Sequence, residues 1–331
     1  MNRLLSFILF LFISISHSQT FTGTVLDLVT NEPLESVSVY FDNTTIGTST
    51  NNKGEFSIDY TEAIQSNLVI SFLGYEKVFI VDYRSQNDVK ILLKESVNEL
   101  DVIVIDADDG MTRALKMKKF KQEFLGKSEN GKSCKILNEK DIKLRYNKRD
   151  KTITAWSNTP ILVKNKNLQY EISFEIIDFE MTLGNWGVSS VVYSGTSFFK
   201  DLDKKQKKRI TKNRLNTYKG SVQHFIRALY NQQLKEEGYI FGVKGFVVNP
   251  YNYFSLSTVD DYGCKTITLK EKLDIFYKGT IESIIQTSIS EFKIDQYGNY
   301  APIENVLFGG NMGSQRVGDS LPLDYGLDNI D

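Results

Sequence analysis

Histidine and cysteine are scarce in this chain: two of each in 331 residues. One histidine, His17, falls in an apolar leader, which leaves His224 as the only histidine of the remainder. A zinc peptidase site needs two histidines and a carboxylate, and a thiolate zinc site needs more than two cysteines. Neither set can be assembled, so no metal and no cofactor is expected. No Gly-x-Ser-x-Gly elbow occurs, and any Ser–His or Cys–His nucleophile would have to use His224. That residue sits beside Phe225 in an amphipathic run, and its reading is a helix-flank histidine packed against a sheet. Acidic residues are abundant, yet no spacing singles out a pair for glycoside chemistry. The expectation is a protein without catalysis.

Long apolar runs are also missing beyond residue 18. A membrane-crossing helix needs about 20 apolar residues, and no later stretch approaches this. Residues 1–18 have the order of an export leader: Arg3, an apolar run from Leu4 to Ile15, then Ser16-His17-Ser18 before Gln19. No cysteine follows the expected cleavage point, which argues against a lipid anchor. A β-barrel is not expected, because two strongly polar helical stretches have no place in a barrel wall, and the last residues, Leu327 to Asp331, lack a terminal aromatic.

The net charge of −1 hides an uneven distribution. From Gln19 to Ile105 there are 5 basic and 13 acidic residues, and from Asp106 onward 34 basic and 28 acidic. Asp106-Ala107-Asp108-Asp109-Gly110 reads as an acidic, glycine-ended linker, and its spacing does not fit an EF-hand. The expected organisation is a leader at 1–18, an all-β sandwich at 19–105, a linker at 106–112 and an α+β domain at 113–331.

The sandwich follows from alternation. Val37, Val39 and Phe41 alternate with Ser36, Ser38 and Tyr40, and Phe56/Ile58 and Leu68/Ile70/Phe72 repeat the period of two. Val78 to Val81, Val89 to Leu93 and Leu100 to Ile105 complete the set, with turns at Asn51–Gly54 and Gly74. Beyond the linker, helices are predicted at Thr112–Leu125, Leu202–Tyr218 and Ser221–Glu237, with Gly126 and Gly238 as stops. Strands are predicted at 134–137, 142–146, 152–156, 168–179, 188–199, 239–248, 266–269, 273–277, 289–294 and 306–308.

Gly23-Thr24-Val25-Leu26-Asp27, Thr30 to Val39, Gly47 to Phe56 and Ile70 to Tyr75 resemble the landmarks of the carboxypeptidase-like regulatory domain, a small prealbumin-like sandwich. The resemblance covers residues 20–105 and implies packing and compartment, not chemistry. Phe120 to Gly126, Ser133 to Asn138, Gly220 to Leu229 and Val317 to Tyr325 are similar to an uncharacterised envelope-protein region that follows such front domains. Together these likenesses imply an exported protein of a gram-negative bacterium, periplasmic or associated with the outer membrane.

Three motifs invite chemical readings. Gly126-Lys127-Ser128-Glu129-Asn130-Gly131-Lys132-Ser133 fits the P-loop pattern, but a helix is predicted before it and a strand after it, the reverse of what phosphate binding requires. Lys204, Lys205, Lys207, Lys208, Arg209 and Lys212 belong to a run of eight cations in sixteen residues. They form a candidate surface for acidic glycan or anionic lipid, with no nucleic-acid-binding fold in support. Cys134 and Cys264 lie in strand-like segments, and export leaves two states open, a disulfide or free core thiols. Trp156, Trp186, Tyr193 and Tyr239 are further candidates for a sugar site.

The expected function is an exported envelope protein whose sandwich docks or binds and whose second domain binds an envelope protein or glycan. Two alternatives stay open: an accessory of an outer-membrane transport system, and a hydrolase with an unrecognised site.

Overall fold

A computed structural model describes residues 19–60, 66–86, 88–96, 109–185 and 187–327. The leader, the predicted strand Leu100–Ile105, residues 106–108 of the linker and Trp186 lie outside the described residues.

The chain is mostly β-strand with few helices, and its front part is a sandwich. β1 (Gln19–Asp27), β2 (Ser38–Phe41), β3 (Gly47–Ser49), β4 (Glu55–Tyr60), β5 (Leu68–Ser71), β6 (Val78–Ile80) and β7 (Val89–Leu93) form two sheets, β4-β1-β7 and β3-β2-β5-β6. β1 runs antiparallel to β4 and parallel to β7. The inward residues of the alternating strands, Phe21, Val25, Val37, Val39, Phe41 and Leu68, are fully buried between the sheets.

The next unit begins with α1 (Arg113–Leu125), α2 (Glu129–Ser133), β8 (Cys134–Ile136), β9 (Lys143–Asn147), β10 (Thr152–Trp156), β11 (Ile161–Asn165), β12 (Tyr170–Gly184) and β13 (Gly187–Asp201). These strands build a six-stranded sheet in which the long β12 pairs with β11 near its start, β10 near its end and β13 along its length. Phe120 and Phe124 of α1 are fully buried against Ile153, Ile172 and Phe179.

Two more helices follow, α3 (Lys208–Tyr218) and α4 (Val222–Tyr230). The remaining strands are β14 (Tyr239–Val243), β15 (Phe246–Val248), β16 (Phe254–Leu256), β17 (Cys264–Leu269), β18 (Leu273–Tyr277), β19 (Ile281–Thr287), β20 (Glu291–Asp295), β21 (Tyr300–Ala301) and β22 (Val306–Gly309). They form the sheets β15-β14-β18-β19-β22 and β16-β17-β20-β21, whose core includes Phe225, Ile226 and Leu229 of α4. The part after residue 109 thus has two hydrophobic cores.

α4 is shorter than its periodicity predicts. Ser221 caps it as expected, its hydroxyl accepting the His224 amide at 3.1 Å. The helix ends at Tyr230, because Gln232 takes a positive φ of 55° that breaks the right-handed path. α3 likewise starts at Lys208, six residues later than predicted.

Two elements bind the units together. Asn43 donates its amide to the Ser197 carbonyl at 2.7 Å, and Phe199 donates to Thr44 at 2.9 Å, so the sandwich caps the outer edge of β13. The returning segment Val317–Tyr325 buries Val317 and Leu321 in the second core and donates from Leu323 to the Asn43 carbonyl at 2.7 Å. Arg227 holds that segment through the Leu323 and Tyr325 carbonyls at 2.8 and 2.9 Å.

Candidate functional site

A cleft of about 690 Å³ opens where the end of α1, α2, the second half of α3 and residues 311–319 meet. The P-loop-like string forms one wall. Gly126, at φ 94°, ends α1, and Ser128 caps α2 by accepting the Gly131 amide at 3.0 Å. The string therefore lies between a helix and the strand β8, with only a five-residue helix inside it. Its glycines have a packing role. A Cβ on Gly131 would meet the Gly126 carbonyl at 2.4 Å and the Leu125 carbonyl at 2.6 Å, so backbones touch where a phosphate cradle would need space.

The cleft is walled by carboxamides and hydroxyls. α3 contributes Asn213, Asn216 and Thr217, and residues 311–315 contribute Asn311, Ser314 and Gln315. A chain of hydrogen bonds fixes the floor. Asn130 Nδ2 donates to Thr217 Oγ1 at 2.9 Å, Asn213 Nδ2 to the Asn167 carbonyl at 3.1 Å, and Asn167 Nδ2 to the Glu129 carbonyl at 3.2 Å. Among the described residues the side chains of Gln122, Asn216 and Asn311 make no hydrogen bond to the protein, so both their donors and acceptors face solvent.

The acids of the cleft already have partners. Glu123 pairs with Lys127 and Glu129 with Lys132, each at 2.9 Å, and this pairing lowers the Glu129 pKa. Asp319 accepts from Ser128 Oγ at 2.6 Å and from Asn130 Nδ2 at 3.1 Å. Arg316 differs. Its Nη1 donates to the carbonyls of Gly313 and Gln315 at 2.8 and 2.7 Å, and among the described residues no carboxylate pairs with it. Its Nε is buried without a partner, alone in this among the described side-chain nitrogens and oxygens.

The six predicted surface cations do not line this cleft; they stand before α3 and in its first half. Lys204, Lys205, Lys207, Lys208, Arg209 and Lys212 are all exposed, and among the described residues none is in an ion pair. Arg214, of the same run, has a structural role. It bonds Asp201 through two nitrogens at 2.7 and 2.8 Å, and its guanidinium carbon lies 3.9 Å from the centre of the Tyr170 ring. Lys219 pairs with Glu237 at 2.9 Å.

His224 is 2% exposed and both its nitrogens are engaged. Nδ1 lies 3.0 Å from the Gly220 amide and 2.8 Å from the Tyr239 hydroxyl, and Nε2 lies 2.9 Å from Glu237. An amide can only donate, so Nδ1 is the acceptor and Nε2 carries the proton toward Glu237. Burial holds the imidazole pKa below its ordinary value, partly opposed by the Glu237 carboxylate. Tyr218, Tyr239 and Tyr277 surround the ring.

The cysteines are not bridged. Cys134, on β8 beside the second core, and Cys264, on β17 in another sheet, are both free thiols. Each strand belongs to a different core, which separates the pair that the sequence left open. Burial pushes the Cys134 thiol up to about 12. The aromatic candidates are likewise scattered: Tyr193 packs against Phe124, Phe174 and Phe179, whereas Tyr239 packs on His224. Among the described residues no group of three or more His, Cys, Asp or Glu side chains could hold a metal ion.

The architecture is that of a sandwich front module on a larger body of sheets. Residues 21–105 match the family model of the CarboxypepD_reg-like domain. No curated protein matches the chain. Among solved structures it is similar to a 9R-lipoxygenase from Cyanothece PCC8801, at 11% identity and TM-score 0.20, over 64% of this chain and 48% of that one. It is also similar to a candidate carbohydrate-binding protein from Bacteroides uniformis ATCC 8492, at 9% identity and TM-score 0.19, over 88% of this chain and 98% of that one.

Proposed function

We propose that this is an exported cell-envelope protein that binds a hydroxyl-rich glycan without catalysis, with the front sandwich as a docking module. The observation that carries the reading is the cleft wall: free carboxamides at Gln122, Asn216 and Asn311 beside a floor of hydrogen-bonded Asn130, Asn167 and Asn213. A carboxamide offers a donor and an acceptor together, which matches a sugar hydroxyl that needs both. Fixing the floor in advance lowers the ordering cost of binding. A non-catalytic role is supported by His224, whose ring nitrogens are taken by Gly220, Tyr239 and Glu237. The export leader and the resemblance of the region after residue 113 support an envelope location, with a linker before that region.

The test is a glycan array followed by calorimetry on the hits, comparing the wild type with the Asn216→Ala/Asn311→Ala double variant. Loss of about 1–3 kcal/mol of binding with an unchanged melting temperature is expected, from two unpaired ligand hydroxyls. Equal binding by both proteins would place the ligand elsewhere.

A further inference from the structure

We infer that the glycan is acidic and chain-like, and that α3 carries it along its cation row into the cleft. This rests on the cleft being the glycan site and adds the ligand's charge and length. Two independent features support it, one on the lip and one on the floor.

On the lip, helical spacing joins the cations to the carboxamides. Arg209, Asn213 and Asn216 stand at i, i+4 and i+7, and so do Lys212, Asn216 and Lys219. Residues at these spacings share one side of a helix. Asn213, Asn216 and Lys219 line the cleft, so the stripe that leaves it along α3 ends in Arg209 and Lys212. Among the described residues neither is in an ion pair, nor are Lys204, Lys205, Lys207 and Lys208, which extend the positive surface. The eleven residues of α3 span on the order of 16 Å. A ligand that touches both ends is therefore longer than a monosaccharide.

On the floor, the acids Glu123, Glu129 and Asp319 all have protein partners, whereas the Arg316 guanidinium has no carboxylate and a buried Nε without any acceptor. The Nη1 bonds to the Gly313 and Gln315 carbonyls leave the guanidinium's positive charge without a carboxylate among the described residues. An anionic group beside Arg316 supplies the missing charge. The carboxamides between lip and floor meet hydroxyls, which selects a charged sugar chain over an anionic lipid surface.

The experiment measures binding of the full mature chain to three probes: polygalacturonate, dextran as an uncharged glycan, and phosphatidylglycerol vesicles. Polygalacturonate should bind best and weaken with added salt, since exposed charges are screened. The Lys208→Glu/Arg209→Glu/Lys212→Glu variant, whose sites are exposed, should lower the preference for polygalacturonate over dextran by about tenfold or more. Arg316→Gln should lower it further, with folding checked by circular dichroism. The inference is overturned if the charge-reversed variant keeps the wild-type preference. It is also overturned if the vesicles capture the wild type more tightly than either glycan, which would assign the cations to a membrane. If the cation variant changes binding but Asn216→Ala/Asn311→Ala does not, the cleft reading fails and the polyanion is held by α3 alone.

Discussion

The Tyr40 hydroxyl donates to Glu175 Oε1 at 3.0 Å across the seam between the sandwich and the six-stranded sheet. Both side chains are buried, at 4% and 8% exposure, and Lys77 of the sandwich neutralises Glu175 at 2.7 Å. Thr196 of β13 lies 3.1 Å from the same hydroxyl. Tyr40 points outward from its own sandwich because it sits in the polar phase of the Val37/Val39/Phe41 alternation, and the second unit covers it.

Removing that hydroxyl should weaken the seam. Tyr40→Phe keeps the ring contact with Phe198 but strips Glu175 of a donor. A loss of about 1–3 kcal/mol is expected from a buried acceptor left short. Urea unfolding measures it, and a variant as stable as the wild type would show that the seam contributes nothing.

Asp42, two residues on, should make the seam sensitive to pH. Burial, with a smaller contribution from nearby Glu175, raises its carboxyl pKa to about 6 from an ordinary 3.8, while the Ser197 and Asn43 amides pull it down in part. The folded protein then binds this proton more tightly than the unfolded chain. Asp42's contribution is complete below pH 3.8 and fades as pH rises through about 6. Other carboxylates, Asp109 and Asp201 among them, have lowered values and act in the opposite sense. The clean measurement is therefore a difference: relative to Asp42→Asn, the wild type should gain stability between pH 7.5 and pH 4.5. A flat difference would refute the assignment.

Much of this fold was legible before the structure. The sandwich alternation placed β2, β4, β5 and β7 correctly, and Thr112, Gly126 and Ser221 bounded their helices as capping chemistry predicts. β1, β3, β11, β16, β19 and β21 were not among the predicted strands. β11, Ile161–Asn165, is only five residues long and directly follows Pro160, so its alternation is too short to stand out. The predicted strand 239–248 is a hairpin, turned at Lys244 and Gly245, which take φ of 50° and 86°. The cation row was visible as composition. The carboxamide cleft was not, because its residues come from four separated segments that only tertiary packing brings together. No local pattern encodes that convergence.

The P-loop-like string offers a sharp contrast within eight residues. Gly131→Ala should cost about 1–3 kcal/mol, since the new methyl is forced against the Gly126 and Leu125 carbonyls. Lys132, the position that would hold phosphates in a nucleotide site, is exposed and paired only with Glu129. Lys132→Ala should change stability by less than about 0.5 kcal/mol. Thermal melts with and without ATP check both, and a melting temperature raised by ATP in the wild type but not in Lys132→Ala would restore the nucleotide reading.

His224 supplies the last prediction. The ring joins the Gly220 amide, the Tyr239 hydroxyl and the Glu237 carboxylate, and Glu237 in turn holds Lys219. Truncation to alanine leaves a buried amide and hydroxyl without an acceptor, so His224→Ala should lose about 1–3 kcal/mol. The pH dependence has a definite sign. Burial lowers the folded-state pKa from an ordinary 6.5, so the imidazole's contribution is present above that value and is lost as pH falls through it. Wild type and variant should therefore converge in stability below pH 6.5 and separate above it. A catalytic histidine would behave differently: its removal would abolish an activity while leaving the melting temperature in place. Finding a hydrolytic activity lost in His224→Ala at unchanged stability would overturn both the structural role and the non-catalytic reading.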